Sequence, residues 1–312
     1  MERPYILHMF TPGKQMSPFD VNMAADAGYQ VIVPYCDVAT DGVTALTQDT
    51  IFSRGPKGVT RTGIFIGGRD AMVASDMLDR AKAAMFKPFM VSLMADPSGA
   101  YTTAAAMVAS VEAALERQGS TLKGRRVLVL GGTGPVGRIA GVIAAQEGAE
   151  VHLSSRGAGA AEEAARTTGA RFGVTLHGAG GTSPSDVLAA IEQADVVLAC
   201  AAPGVQVVSP EMLKAARRLR VAADVNAVPP EGIAGVGVMD DAKPIVGTEA
   251  VGIGALAIGN VKYQTQHRLL VRMCETEQAQ VLSFPEAFAT ARQFLAEKAV
   301  PKAGVAPSGS SA

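Results

Sequence analysis

The sequence predicts an α/β protein with two domains, each built around a mostly parallel β-sheet. Short apolar runs typical of buried strands alternate along the chain with longer stretches of helical periodicity, which is the pattern of βαβ units. The chain has 312 residues, more than a single hydrophobic core usually serves. Hydrophobic residues make up 48% of it and charged residues 18%, so there are enough apolar side chains to bury both sheets.

The first predicted domain, residues 1–120, alternates four strands with three helices. Ser17 followed by Pro18 is a helix-start signal, because serine caps a helix and proline fits its first turn. The predicted strands are residues 5–10, 30–35, 62–66 and 89–94, and the predicted helices are residues 17–28, 70–85 and 102–117. A polar, turn-like segment at residues 119–124 marks the domain boundary.

The second predicted domain, residues 121–260, repeats this alternation. Its strands are predicted at residues 127–130, 150–154, 196–200 and 220–224, and its helices at residues 137–147, 160–167, 186–193 and 211–218. Two closing helices within residues 261–298 are predicted to pack back on the first domain. The Pro/Gly/Ser-rich residues 299–312 are predicted to form a disordered tail.

Charge, cysteine content and hydropathy restrict the classes of partner. The net charge of −1 implies no strongly basic face, so nucleic acid is not a predicted partner. Cys36, Cys200 and Cys274 lie far apart without metal-ligand spacing, which predicts no metal site and a reducing, cytoplasmic location. The sequence has no apolar leader and no uncharged apolar stretch of about 20 residues, so no membrane span is predicted.

The most informative motif directly follows the predicted strand at residues 127–130. Gly132, Gly134 and Gly137 match G-x-G-x-x-G, with an Ala-rich helix after them. In a dinucleotide-binding unit the first glycine permits a tight turn, the second lets a pyrophosphate approach and the third lets helix and strand pack closely. The motif predicts a Rossmann-type domain that binds NADP or NAD, whereas the alternative is an ordinary glycine turn.

The end of the next predicted strand bears on the choice of nucleotide. An acidic residue there would bind the ribose hydroxyls of NAD. The sequence instead has Ser154, Ser155 and Arg156, whose hydroxyls and guanidinium suit the 2′-phosphate of NADP. NADP is therefore favoured and NAD stays open, and Arg156 could also be a solvated loop charge.

Loops after other strands supply the remaining candidates, because ligands of doubly wound sheets bind beyond the carboxyl ends of the strands. Ala201, Ala202 and Asn226 are predicted to contact ribose or nicotinamide, and Asp224 is predicted to be structural. The complete predicted cofactor set is Gly132, Thr133, Gly134, Pro135, Val136, Gly137, Ser154, Ser155, Arg156, Ala201, Ala202 and Asn226.

Three polar residues outside that set have two interpretations each. Thr102 lies in a loop that should face the cleft between the domains, but it could simply cap a helix. Asp20 could contact a ligand or only favour the dipole of the first helix. Lys262, beside the glycine-rich residues 252–259, could be a plain surface lysine.

Eight short stretches together point to one family. They are residues 18–21 (PFDV), 51–55 (IFSRG), 64–68 (IFIGG), 101–106 (YTTAAA), 131–137 (GGTGPVG), 223–230 (ADVNAVPP), 252–259 (GIGALAIG) and 267–268 (HR). In these stretches, which run through most of the chain apart from the tail, the sequence resembles bacterial NAD(P)-dependent methylene-tetrahydromethanopterin dehydrogenases of C1-metabolising methylotrophs.

This resemblance implies a pterin-binding α/β domain that faces a Rossmann domain across a cleft, in a homo-oligomer. It implies that Asp20, Thr102 and Lys262 bind and orient the pterin while the glycine loop holds NADP or NAD. The implied reaction transfers a hydride from methylene-tetrahydromethanopterin to NAD(P)+ in formaldehyde oxidation. No general base is required, because loss of hydride leaves a cation shared by two nitrogens, and Asp20 is the candidate to stabilise it.

Three alternatives remain at this point. The substrate could be methylene-tetrahydrofolate. The enzyme could be a dehydrogenase of a small hydroxy or amino acid, which would need a Lys–Asp or His–Asp proton relay. A regulator that senses NADP would bind the nucleotide without turnover.

Overall fold

The computed structural model describes residues 3–157 and 159–299, which form two separate sheets covered by helices. The strands are β1 (Ile6–Phe10), β2 (Val31–Tyr35), β3 (Thr62–Ile66), β4 (Ser92–Ala95), β5 (Arg126–Leu130), β6 (Glu150–Ser154), β7 (His177–Ala179), β8 (Val196–Ala199), β9 (Val221–Asp224), β10 (Asp241–Pro244), β11 (Val251–Ile253) and β12 (Val281–Leu282). The α-helices are α1 (Pro18–Asp26), α2 (Val43–Phe52), α3 (Pro56–Val59), α4 (Ala71–Ala83), α5 (Ala100–Glu116), α6 (Pro135–Gln146), α7 (Ala160–Phe172), α8 (Pro184–Glu192), α9 (Pro210–Ala215), α10 (Ala255–Glu275) and α11 (Phe284–Ala299).

The first sheet has the strand order β2-β1-β3-β4-β12, and all of its pairs are parallel. Its fifth strand comes from the C-terminal part of the chain. This is the doubly wound order 2-1-3-4-5, whose topological switch lies between β1 and β3. Every residue of β3 and β4 is buried, as expected for central strands with helices on both faces.

The second sheet has the order β7-β6-β5-β8-β9-β11-β10, in which only the edge strand β10 is antiparallel. Read from β7, the parallel strands follow the Rossmann order 3-2-1-4-5-6. The topological switch lies between β5 and β8, and both strands are almost wholly buried. The predicted α/β class with a Rossmann-type sheet is confirmed.

Helix α5 lies between the two sheets and packs against α6, α10 and α11. Most of its residues are buried, and many of them are alanines, which let the neighbouring helices approach closely. Arg292 of α11 donates to Glu112 of α5 at 2.5 Å and to Glu147 at the end of α6 at 2.6 Å. The C-terminal helices therefore join both halves of the molecule.

The structure corrects several predicted boundaries. Strand β4 begins at Ser92 rather than at residue 89, because Phe86 and Phe89 form a separate bridge around Pro88. Helix α10 begins at Ala255, so the glycine-rich residues 252–259 include the end of strand β11 and the start of this helix. Helices α2 and α3 and strands β7, β10, β11 and β12 were not predicted from the pattern.

Two further predictions concern the ends of the chain and the membrane. Ala299 is the last residue of α11, and the rest of the predicted tail, residues 300–312, lies outside the described residues. The predicted domain limits stay predictions. Among the helices described, none is both long and apolar enough to cross a membrane.

Candidate active site

The switch point of the second sheet forms a crevice of about 260 Å³ beyond the ends of β5 and β8. Its walls come from the loops that follow β5, β6 and β8, as the Rossmann order requires. The lining residues include Gly131, Thr133, Gly134, Ser154, Ser155, Arg156, Cys200, Ala201 and Ala202. Seven of the twelve predicted cofactor-binding residues therefore line one crevice.

Each of the glycine positions in the loop after β5 requires glycine for a different structural reason. Gly131 adopts φ +75°, and a Cβ there would lie 2.5 Å from the carbonyl oxygen of Cys200. The tight turn is therefore at Gly131, which corrects its predicted position at Gly132. A Cβ on Gly132 would lie 2.8 Å from Cβ of Leu153, so this residue permits close packing on β6.

The close packing of Gly137 agrees with its predicted task, whereas the approach of a pyrophosphate to Gly134 stays a prediction. A Cβ on Gly137 would lie 2.6 Å from the carbonyl oxygen of Gly131, so the helix touches the turn directly. A Cβ on Gly134 would have one close neighbour, at 3.4 Å, which leaves its backbone open on the crevice side. Gly134 is the N-cap of α6, and Pro135 occupies the first turn together with Val136.

The start of α6 offers free backbone amides to an anion. No side chain caps this helix, so the amides of its first turn remain available and the positive end of the helix dipole points toward the crevice. Arg138 donates from Nε to the carbonyl of Thr133 at 3.0 Å and from its guanidinium to Thr168 Oγ1 at 2.6 Å. These bonds fix the loop against α7.

The three predicted cofactor-binding residues of the turn after β6 differ in their solvent exposure. Ser154 is buried, and its hydroxyl donates to the carbonyl of Gly180 at 3.0 Å. Ser155 is half-buried, and its hydroxyl donates to the carbonyl of Gly157. Arg156 is exposed at the crevice and has no hydrogen bond or ion pair with any described residue.

Asn226 does not line this crevice, and its side chain connects two loops. Its Oδ1 accepts from the backbone amides of Gly204 and Val228, and its Nδ2 donates to the carbonyl of Pro230 at 2.9 Å. Asp224 accepts from the amides of Asn226 and Ile233, as the predicted structural role requires. Contact between Asn226 and a cofactor stays a prediction.

The switch point of the first sheet forms a larger crevice, of about 870 Å³, beyond the ends of β1 and β3. Its walls are the β1–α1 loop, the start of α1 and the β3–α4 loop. The lining residues are Thr11, Pro12, Gly13, Lys14, Gln15, Met16, Ser17, Pro18, Asp20, Gly68, Arg69, Asp70, Val73 and Ser98. A volume of this size is typical of a site for a small organic ligand.

Asp20, Gln266 and Lys262 form a chain of hydrogen bonds at the inner end of this crevice. Gln266 Nε2 donates to Asp20 Oδ1 at 2.7 Å, and Lys262 Nζ donates to Gln266 Oε1 at 2.5 Å. Lys262 and Gln266 lie one turn apart on α10 and therefore share a face. Asp20 is 2% exposed, and its second oxygen, Oδ2, has no hydrogen-bond partner in the described residues.

Asp96 and Thr102 form a second buried pair beside this chain. Thr102 Oγ1 donates to Asp96 Oδ2 at 2.6 Å, and the amides of Tyr101 and Thr102 donate to Asp96 Oδ1. Asp96 thus serves the first turn of α5, where the N-cap residue is glycine. Both side chains are fully buried, so the hydroxyl of Thr102 is committed to Asp96.

The charged groups of this cluster shift one another's pKa values. Burial, and then the nearby Asp96 carboxylate, raises the pKa of Asp20 to about 7, while the Gln266 hydrogen bond and Lys262 oppose the rise. Burial also raises the pKa of Asp96 and lowers that of Lys262, and the two carboxylates oppose the latter shift. An ionisable carboxyl with a pKa near neutrality in a crevice is a feature of functional sites.

Two residues lie close to the end of the Lys262 side chain. Its Nζ lies 3.7 Å from the centroid of the Phe19 ring, within range of a cation–π contact. A Cβ on Gly99 would lie 3.0 Å from Lys262 Cε and 3.2 Å from Nζ. A side chain at position 99 would therefore collide with the end of Lys262.

Helix α5 connects the crevice of the first sheet, called the first crevice, with the crevice of the second sheet, called the second crevice. Thr102 lies in its first turn, beside the carboxyl and lysine cluster. Met107, five residues later, has its Sδ 3.7 Å from Sγ of Cys200, which lines the second crevice. At about 1.5 Å per residue, the two points are about 7.5 Å apart along the helix axis.

The structure brings Asp20, Thr102 and Lys262 into one cluster, although 242 residues separate the first from the last. Asp96, Gly99 and Gln266 belong to the same cluster. Asp96 and Gly99 lie in the loop predicted to face the cleft, but no site role was predicted for either, and Gln266 was missed. Asp96 directly follows β4, so its place at a strand end was a usable signal. Gln266 was also detectable, since it is four residues after Lys262 on a predicted helix.

Comparison with known proteins identifies the family. The family description "Methylene-tetrahydromethanopterin dehydrogenase, N-terminal" matches residues 18–98. The chain is 50% identical over 285 residues to the NAD(P)-dependent methylenetetrahydromethanopterin dehydrogenase of Methylorubrum extorquens, an alignment that covers 91% of this chain and 96% of the relative. It is 34% identical over 273 residues to the bifunctional protein MdtA of the same organism, which covers 88% of this chain and 93% of that protein.

The fold is also found in a solved structure of distant sequence. Quinate dehydrogenase from Corynebacterium glutamicum in complex with NAD matches with a TM-score of 0.50 and 13% identity, over 95% of this chain and 100% of that chain. That likeness concerns the fold alone. The relative at 50% identity confirms the resemblance seen in the sequence, so the chain belongs to the NAD(P)-dependent methylenetetrahydromethanopterin dehydrogenases.

Proposed function

We propose that this enzyme oxidises methylene-tetrahydromethanopterin to the methenyl form, with NAD(P)+ as hydride acceptor. The observation that carries the proposal is the 50% identity to a dehydrogenase of that name over 91% of the chain. The two crevices support it, because a two-substrate hydride transfer requires adjoining sites for donor and acceptor. One crevice has a phosphate-binding loop, and the other has a buried carboxyl group.

The second crevice fits a dinucleotide. The turn at Gly131 and the contacts that forbid a Cβ on Gly132 and Gly137 leave bare backbone where a pyrophosphate would lie. In our proposal Gly134 and the first amides of α6 hold the phosphates, Ser155 and Arg156 face the adenosine ribose, and Ala201 and Ala202 border the nicotinamide. When bound, the oxidised nicotinamide supplies an acceptor for hydride.

The first crevice would hold the pterin, with its methylene carbon toward the second crevice. Loss of hydride leaves positive charge on the N–C–N unit of the substrate. Asp20 in its ionised form would stabilise that charge electrostatically from a buried position. Lys262, held by Gln266 and Phe19, would donate a hydrogen bond to a carbonyl or ring nitrogen of the pterin and so fix its orientation.

Thr102 has a different proposed role from the two charged residues. Its hydroxyl is buried and bonded to Asp96, so we propose that it positions Asp96. Asp96 then affects the charges of Asp20 and Lys262, whose pKa values it shifts. Thr102→Ala should consequently change the pH profile of kcat, whereas Thr102→Ser should restore it.

The direct test is steady-state kinetics of the purified protein with both pterins and both nucleotides. Methylene-tetrahydromethanopterin should be oxidised with NADP+ or NAD+, and the reduced nucleotide should form in equal amount to the methenyl product. Turnover only with methylene-tetrahydrofolate would replace the substrate assignment. Binding of NADP without turnover of any pterin would refute the proposal.

The setting of the enzyme follows from its family resemblance. We propose that it works in the cytoplasm as a homo-oligomer. The described cysteines are all free thiols, which agrees with a reducing compartment. Sedimentation at several protein concentrations would test the oligomer, and a monomer at all of them would refute it.

A further inference from the structure

One wall of the second crevice is formed by residues 201–206, called the β8 loop, which come directly after Cys200 at the end of β8. Ala201 and Ala202 of this loop line the crevice. Within the described ranges 3–157 and 159–299, one hydrogen bond joins the β8 loop to another segment of the chain: the amide of Gly204 donates to Oδ1 of Asn226 at 3.1 Å. The position of this wall therefore depends on Asn226.

The two ends of the β8 loop are anchored by backbone hydrogen bonds. Before the loop, the amide of Cys200 donates to the carbonyl of Leu130 at 2.8 Å. After it, the amides of Val207 and Val208 donate to the carbonyl of Gly232 at 2.8 and 3.0 Å. A change at Asn226 should consequently displace the middle of the loop while its ends stay in place.

The side chain of Asn226 is almost fully committed to other parts of the protein. It is 5% exposed, and its Oδ1 also accepts from the amide of Val228 at 2.9 Å. Its Nδ2 donates to the carbonyl of Pro230 at 2.9 Å. With the bond from Gly204, these contacts use both lone pairs of Oδ1 and one of the two N–H groups. Asn226 is thus built to hold protein segments together rather than to bind a ligand.

Asp224 fixes the backbone that carries Asn226. Its Oδ1 accepts from the amide of Asn226 at 2.9 Å, and its Oδ2 accepts from the amide of Ile233 at 3.1 Å. Asp224 is 1% exposed and is the last residue of β9. The contacts therefore run from the sheet through Asp224 and Asn226 to the β8 loop.

We propose that Asn226 is a positioning residue for hydride transfer, which acts through the β8 loop rather than by contact with the cofactor. This inference rests on the proposed function, in which Ala201 and Ala202 border the nicotinamide. The hydride acceptor must lie about 3–3.5 Å from the methylene carbon, so a small displacement of this wall lowers the rate. The adenosine end of the nucleotide, at the turn after β6, binds independently of Asn226.

The test compares the wild-type enzyme with two variants of Asn226. Asn226→Ala removes all three side-chain bonds, whereas Asn226→Asp keeps an acceptor for Gly204 and loses the donor to Pro230. Thr62→Ala is the matched control, because Thr62 is 4% exposed, makes two side-chain hydrogen bonds and lines neither crevice. Each protein is assayed for kcat with methylene-tetrahydromethanopterin and NADP+. Calorimetry measures binding of adenosine 2′,5′-bisphosphate, which carries the 2′-phosphate but no nicotinamide.

The expected loss falls on turnover and not on the adenosine end. Asn226→Ala should lower kcat roughly 100-fold, as for a displacement of about 1 Å. Its Kd for adenosine 2′,5′-bisphosphate should stay close to that of the wild type. Asn226→Asp should recover part of the kcat, and Thr62→Ala should keep all of it with a similar fall in Tm. If Asn226→Ala does not fold, Asn226→Ser replaces it with the same expectation, since its hydroxyl is one bond shorter than the amide.

Three results with an active wild type would overturn the inference and leave the proposed function in place. Equal kcat for Asn226→Ala and Thr62→Ala would show that the β8 loop does not limit turnover. Equal kcat for Asn226→Asp and Asn226→Ala would show that the bond to Gly204 is not responsible. Loss of adenosine 2′,5′-bisphosphate binding in Asn226→Ala would show general damage to the crevice. A wild type with no pterin turnover would refute the proposed function, and the role in hydride transfer with it.

Discussion

Gly99→Ala is the substitution that tests most directly whether the position of Lys262 controls catalysis. An ideal Cβ on Gly99 lies 3.0 Å from Lys262 Cε. Non-bonded carbons normally approach to about 3.5 Å, so the lysine head must move by about 0.5 Å. A misplacement of about 1 Å can cost about 100-fold in rate, so half that shift predicts a kcat about tenfold lower.

The chain offers a matched control for the backbone strain of this substitution. Gly99 and Gly119 both adopt φ +68°, where an L-residue costs about 1–2 kcal/mol. A Cβ on Gly119 meets nothing within 4 Å, so Gly119→Ala carries the strain without the contact to Lys262. Both variants should lose similar stability, measured as the change in Tm.

The assay is steady-state turnover of methylene-tetrahydromethanopterin at saturating NADP+, with the KM for the nucleotide measured alongside. Gly99→Ala should lower kcat and leave the nucleotide KM unchanged, because the substitution lies in the first crevice. Gly119→Ala should leave both unchanged. Equal kcat values for the two variants would show that the position of Lys262 does not limit turnover.

Three further predictions address the carboxyl group and the nucleotide. In the wild type kcat should rise with pH through about 7, because the pKa of Asp20 is raised to about 7 and the ionised form is needed. Asp20→Asn should lower kcat and abolish this rise in a pH–rate profile. Arg156→Ala should raise the KM for NADP+ about tenfold and leave that for NAD+ nearly unchanged in parallel titrations. Gly137→Ala, whose Cβ meets backbone atoms at 2.6 and 2.9 Å, should weaken binding of both nucleotides in calorimetry, unlike Gly42→Ala, whose Cβ has no neighbour within 4 Å.

The Rossmann half of the molecule could be read from the sequence because its signals are local. The run from β5 through the glycine turn into α6 is contiguous. Gly132, Gly134 and Gly137 have their close neighbours in β5, in the same loop or in β6, whereas those of Gly131 are Cys200 and Ala201 after β8. Even so, the positive φ belongs to Gly131 rather than Gly132. The sequence motif specifies the spacing of the glycines, but it does not show which of them adopts the positive φ of the turn.

The carboxyl cluster could be predicted only in part, because its contacts join distant segments. Asp20 and Gln266 are hydrogen-bonded across 246 residues, and no periodicity links a residue of α1 to one of α10. The resemblance supplied Asp20, Thr102 and Lys262, but not the residues that hold them. Strand β12 was missed for a similar reason, since a strand of two residues depends on its pairing with β4.

Helix α5 gives the two crevices a fixed relation that neither sheet provides alone. Its first turn binds Asp96 through the amides of Tyr101 and Thr102, and its next turn reaches Cys200 through Met107. Most of its residues are buried, and Arg292 of α11 hydrogen-bonds both to Glu112 near its C-terminal end and to Glu147 at the end of α6. Hydride transfer needs its two carbons held about 3–3.5 Å apart. A buried helix shared by both crevices meets that need, because its backbone fixes the spacing between the two sites.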